Sequence, residues 1–153
     1  MSTWKRTTRK LDLLDIQIDR QRPFYKHISV NNLGSILNNI IMCVETESER
    51  KSGAGLGDST VTSNVVLTPS WILWVTRGDK TPPTANSVRL ENAQVKDYAD
   101  TPEFASDPDN GLEISGILTG KSVPSRVLIG LGDEADAKAF KAAVFKAIEN
   151  LKK

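Results

Sequence analysis

Apolar side chains return at helical pitch along residues 133–151, DEADAKAFKAAVFKAIENL. Phe140, Val144, Ala147, Ile148 and Leu151 share one narrow stripe, while Lys138, Lys146 and Glu149 point the other way. Asp133 follows Gly132 as the expected N-cap, and Glu134 and Asp136 place negative charge in the first turn, complementing the helix dipole. Such a stripe needs a partner surface. The preceding ninety residues supply one, because they read as short strands. The pattern predicts a small β-barrel or sandwich plugged by a terminal helix through Phe140, Val144, Ile148 and Leu151.

The strand signal is strongest at Val61 to Leu67 and Trp71 to Thr76, joined by Thr68-Pro69-Ser70, with the proline suited to an early turn position. Both faces of the second segment are apolar, so it needs cover twice. Trp71, Leu73 and Val75 are expected toward the barrel core. Ile72 and Trp74 are expected outside, beneath the N-terminal segment. Ser87 to Leu90 and Ala93 to Tyr98 read as further strand, interrupted near Glu91-Asn92. Strands follow at Leu112–Ile114 and Arg126–Leu131, with an acidic loop, DTPEFASDPDN, before the first of them.

The N-terminal third is less regular. The first ten residues lack an apolar pattern and read as mobile, anchored by Trp4 alone. Leu14, Ile16 and Ile18 alternate with polar residues as in a strand, which Pro23 would end; Leu11, Leu14 and Ile18 fit a helix as well. Residues 32–44 also fit both states. The reading taken is a short helix near 32–38 and a strand from Ile40 to Ser48, then a flexible loop over Gly53-Ala-Gly-Leu-Gly57.

Charge and chemistry narrow the function. The 153 residues carry a net charge of +1, with 39% hydrophobic and 25% charged residues, so no global field draws the chain to nucleic acid or membrane. Locally the balance differs. Residues 1–26 hold seven bases against three acids, and residues 90–113 hold seven acids against Lys96. These are either two solvated surfaces or complementary ones, within a chain or between copies. One cysteine, Cys43, allows no internal disulfide, and no signal peptide or apolar span is legible; the expected compartment is the cytosol. His27 and Cys43 have no metal-ligand spacing, and a lone histidine offers no orienting base for a triad. Gly53 to Gly57 leads toward a strand rather than a helix N-terminus, which argues against a phosphate loop. No cofactor, metal or catalytic residue is expected. The Lys5–Lys10 tail with Trp4 is too small a basic surface to predict nucleic-acid binding.

The order of the elements resembles the pleckstrin-homology superfold, and the bacterial PH-like families in particular. The residues that carry the resemblance are VVLTPSWILWV (Val65 to Val75), VRLENAQVKDY (Val88 to Tyr98), GLEI (Gly111 to Ile114) and RVLIGLGDEADAKAF (Arg126 to Phe140). The resemblance implies a mainly β fold: a partly open barrel of about seven antiparallel strands capped by a C-terminal α-helix, over residues 40–153. Residues 1–39 would be an extension packed on the barrel. It further implies a non-catalytic binding module, presenting a surface to an unknown protein partner or to its own copies. A second reading is peripheral attachment to anionic membranes or phosphoinositides through Arg50, Lys51, Arg77 and Lys80 at the loop mouth; an uncharacterised enzyme is the third. Glu45, Glu47 and Glu49 on the strand entering that mouth oppose the lipid reading, leaving at most weak, salt-sensitive attachment. A basic patch at the mouth would mark a membrane reader, an apolar groove a protein binder.

Overall fold

The computed structural model of the protein describes residues 3–51 and 57–153; the Gly53–Leu56 part of the expected flexible loop lies outside them. Two antiparallel sheets form a partly open β-sandwich capped by the C-terminal helix. The first sheet has strands β1 (Trp4–Lys10), β2 (Met42–Arg50), β3 (Thr60–Leu67), β4 (Trp71–Gly78) and β5 (Thr84–Arg89) in chain order. The second has β6 (Ala93–Asp97), β7 (Gly111–Gly116) and β8 (Ser125–Gly130). Helix α1 (Ile18–Val30) lies on the outer face of the first sheet and α2 (Ala135–Leu151) closes the core. Seven strands, β2–β8, fall within residues 40–153 as expected, and β1 adds an eighth from the N-terminal segment. The interruption at Glu91-Asn92 is a one-turn 3-10 helix, Leu90–Asn92, where the chain passes from one sheet to the other.

The alternation of β4 sorts its side chains into two cores, in the reverse sense of the expectation. Ile72 and Trp74 join Val44, Val65, Leu112, Ile114, Phe140 and Val144 between the sheets and α2. Leu73 and Val75 join Phe24, Ile28, Cys43 and Val66 beneath α1. Alternation shows that two faces exist; it carries no label for which one meets which cover. Phe140 and Val144 are fully buried, and Ile148 packs against the same core. Leu151, expected in that stripe, is 41% exposed, because the helix has run past the edge of the core by its last turn.

Three N-terminal expectations are corrected. Trp4–Lys10, expected to be mobile, form a strand: β1 pairs with β2 from Trp4↔Arg50 to Lys10↔Val44. The strand expected over 14–18 is a 3-10 turn followed by α1, and Pro23 lies inside that helix. Phe24 and Ile28, one turn apart, bury against the sheet and hold the helix despite the rung that proline removes. The helix expected near 32–38 is a run of turns. Asn32 and Asn39 sit there at φ 55 and 68, left-handed values that asparagine tolerates better than most residues and that interrupt a helix.

Charge fastens β1. On the face toward α1, Lys5 stands opposite Glu49 and Arg9 opposite Glu45, so the acids of β2 meet bases of the N-terminal segment. On the other face the Arg6 guanidinium grips Asp109 at 2.9 and 2.7 Å, which joins the basic and acidic regions within one chain. The outer rim of β1 is closed by the start of α2. Thr8 N donates to Glu134 Oε1 at 3.0 Å, Lys10 N to Asp136 Oδ2 at 2.9 Å, and Gly132 N to Thr8 Oγ1 at 2.8 Å. Glycine is required at 132, since a Cβ there would lie 2.7 Å from the Arg6 carbonyl. The N-cap of α2 is Glu134 rather than Asp133, and its carboxylate serves β1 instead of the helix N-terminus.

A buried ionic cluster lies under α1. Glu45 Oε1 accepts from Arg20 Nη2 at 3.0 Å and from Asn64 Nδ2 at 3.1 Å, and Arg20 Nε donates to Asn64 Oδ1 at 2.7 Å. Arg9 reaches Glu45 Oε2 from the rim at 2.7 Å. Burial pushes the Glu45 carboxyl up. The hydrogen bonds from Arg9 and Asn64 and the charges of Arg9 and Arg20 outweigh it, leaving Glu45 below the usual carboxylate range.

Candidate functional site

Of the four bases expected at the loop mouth, Arg50 and Lys80 both reach Gly57, whereas Arg77 turns toward α1. Arg50 and Arg77 leave the first sheet on opposite faces. Arg50 stacks on Trp4, 5.1 Å from the ring centroid, on the inter-sheet side, whereas Arg77 pairs with Asp19 of α1. Lys51 is exposed and its backbone N–H bonds to Thr3 O. Lys80 Nζ donates to Gly57 O at 3.3 Å, and its backbone N–H to Asp58 Oδ1 at 2.6 Å. Acids interleave with these bases. Asp58 also accepts from Thr81 Oγ1. Asp79 is held down at about 2 by hydrogen bonds from the Ser59 hydroxyl and the Thr60 and Ser59 amides, so it stays ionised. An anionic headgroup would meet the carboxylates of Asp58 and Asp79 among the cations here.

The two singular side chains have local duties. Burial pushes the Cys43 thiol up to about 12, so it stays protonated beneath α1. His27 Nε2 lies 2.8 Å from Ser87 Oγ, a distance that on an open surface would suggest an activated serine. Ser87 is fully buried, however, and its hydroxyl donates to Thr119 Oγ1 at 2.7 Å, which in turn donates to Ser87 O at 3.1 Å. That relay assigns the proton to His27 Nε2 and leaves Nδ1 facing Asn31 Nδ2 at 3.4 Å. The group joins α1, β5 and the loop after β7. Burial lowers the His27 pKa, so its contribution is present above the unfolded value of 6.5 and is lost as pH falls through the lower folded one. Stability is therefore expected to drop below about pH 6.5. In urea melts from pH 7.5 to 5.5, His27→Gln should flatten that part of the profile; an unchanged slope would discount the relay. No group of three metal-ligating side chains converges among the described residues, and no helix among them is long and apolar enough to cross a membrane.

An apolar concave surface lies at the other end of the sandwich. Between the 3-10 turn Leu90–Asn92, β6 and the last turns of α2 runs an open groove of about 560 Å³. Leu90, Ala93 and Val95 form one wall; Phe145, Ile148 and Leu151 form the other. Glu91, Gln94, Glu149 and Lys152 stand at its rim. Phe145 is 38% exposed there and Leu151 is 41% exposed, two large apolar groups facing solvent in one hollow. The rest of α2 turns its apolar stripe into the core. Its last two turns add a second apolar row because Phe145 lies well around the helix from Phe140. Of the sequence-predicted plug residues, Phe140 and Val144 are core, Ile148 belongs to both surfaces, and Leu151 belongs to the groove. Helical pitch sets Phe145 off the stripe of Phe140, but nothing in the sequence points to Leu90 and Val95 opposite. Comparison of the chain with protein-family models, with curated proteins and with solved structures finds no match.

Proposed function

We propose that the protein is a non-catalytic binding module of PH-like type that holds a segment of a protein partner in the groove between β6 and α2. The single observation that carries this reading is the groove itself. Phe145 and Leu151 stand exposed together across from Leu90 and Val95, and a hollow of about 560 Å³ is of the size that ligands fill. The strand order, five then three with a C-terminal cap, supports the PH-like assignment suggested by the sequence motifs. The acids interleaved with the bases at the loop mouth, Asp19, Asp58 and Asp79, weigh against a lipid headgroup there.

A displayed library of random twelve-residue peptides, selected on the protein and mapped by amide chemical shifts, tests the reading. Selected peptides should perturb β6 and the end of α2, and Phe145→Asp should weaken them about 30-fold, the effect of losing one central aromatic contact. Phe145 is a surface residue, so the variant should melt within a few degrees of the parent. Peptides that perturb only other surfaces, or that bind Phe145→Asp equally well, would refute it.

A further inference from the structure

We infer that the outer face of α2 pairs with the same face of a second copy of the chain, the two helices running antiparallel. This goes beyond the groove, because it uses the helix row turned away from the core, and its decisive residue, Lys138, does not line the hollow. Lys138, Ala142, Phe145 and Glu149 fall within about 60° of arc at helical pitch, roughly opposite the buried Phe140. All four are exposed. The solvent row of a surface helix is ordinarily polar, and this one carries a phenylalanine that is 38% exposed.

The spacing of that row points to a second copy. Its steps are four, three and four residues, so it reads the same in either direction. Laid antiparallel on its own copy about a two-fold axis, Lys138 stands opposite Glu149, and Ala142 opposite Phe145. An interface of that symmetry has to be complementary to itself. Here a base meets an acid and a bulky ring meets a single methyl group, each twice. A purely basic or purely acidic partner would satisfy only half of these charges. Neither Lys138 nor Glu149 has an ion pair among the described residues. Lys146 of one copy comes level with Lys141 of the other, but Lys141 lies about 140° away around the helix. It is held there by Asp97 at 3.1 Å and Asn110 at 2.9 Å, so like charges do not face each other along the row.

The area sets the strength. With 17 residues, α2 is about 25 Å long and about 10 Å wide, so each copy offers roughly 250 Å² of projected face. That falls short of the roughly 1,000 Å² in total that a stable interface buries. The pair is therefore weak and concentration-dependent, with Kd on the order of 100 μM. Phe145 belongs to both surfaces, so a segment seated in the groove and a second copy would compete for it.

Sedimentation velocity on the full chain, from about 10 μM to about 1 mM, brackets such a Kd and should show a monomer passing to a dimer. Lys138→Glu and Glu149→Lys should each weaken self-association about tenfold, since both charge pairs of the dimer become repulsive. Each substitution suits the helix dipole, an acid toward the N-terminus and a base toward the C-terminus, so both variants should melt like the parent. Mixing the two single variants should restore pairing, because each crossed contact then joins opposite charges. Library peptides should bind Lys138→Glu as they bind the parent, so a failure of self-association leaves the groove reading intact. A chain that stays monomeric throughout, single variants that associate as the parent does, or a mixture no tighter than its components would overturn the inference.

Discussion

Phe140→Ala is expected to remove about 3–5 kcal/mol of stability, the usual cost of truncating a fully buried phenylalanine. Phe140 has no exposed surface and sits where Ile72, Trp74, Leu112, Ile114 and Leu131 meet α2. The loss combines the transfer of the ring with a cavity that two sheets cannot collapse to fill. Domains of this size carry about 5–15 kcal/mol in total, so the variant would be largely depleted of its margin. Leu151→Ala, in the same helix but at the groove, should change stability by less than about 1 kcal/mol. Urea melts of both decide it: similar midpoints for the two variants would mean that α2 is not held through Phe140.

Glu45→Ala should cost about as much, for a different reason. Glu45 and Arg20 each keep less than a tenth of their side-chain surface exposed. Removing the carboxylate leaves the buried Arg20 guanidinium with only the longer contact to Asp19 at 3.5 Å, and the Asn64 Nδ2 without its acceptor. Breaking one partner out of a buried pair typically costs about 3–5 kcal/mol. The contact with Arg9 adds little, because that side chain is 65% exposed and water screens it. Replacing both members, Glu45→Leu with Arg20→Met, should recover most of the loss, since no charge is then left buried. A double variant as unstable as Glu45→Ala would place the cost in packing under α1 rather than in the stranded arginine. The pH profile supplies a second check. Glu45 titrates below its ordinary value in the fold, so its contribution is complete above about pH 4.5 and is lost as pH falls through the lowered value.

What could be read from the sequence follows the strength of local periodicity. The α2 stripe and the β3–β4 hairpin were legible because each buries a regular row of apolar residues, Phe140 and Val144 in one, Val65, Leu67, Ile72 and Trp74 in the other. The break at Glu91-Asn92 was legible as a break, though not as the crossing between sheets. β1 was not legible, because WKRTTRK holds one apolar residue and its attachment is made by groups far along the chain: Glu45 to Glu49, Asp109, Glu134 and Asp136. The matching signal was present as charge, bases in one segment and alternate acids in another. α1 was hidden by Pro23, since the local rule that proline ends a strand outweighed the single turn linking Phe24 to Ile28. The groove was half visible. Phe145 stands off the stripe, but Leu90 and Val95 meet it only through the fold.

The closure of β1 by the first turn of α2 also sets the timing of folding on the ribosome. The partners in the bond from Thr8 N to Glu134 are 126 residues apart, so the first strand is made long before the groups that cover its rim exist. At 5–20 residues per second, the interval is on the order of ten seconds. During it, β1 can pair with β2 as soon as residues 42–50 emerge, but the hydrogen-bonding rim of that growing sheet stays open to other chains. The two basic pairs of β1, Lys5-Arg6 and Arg9-Lys10, then act as the guard, keeping neighbouring nascent chains apart by like charge until the C-terminal helix arrives. A helix translated 126 residues later is the one that completes β1.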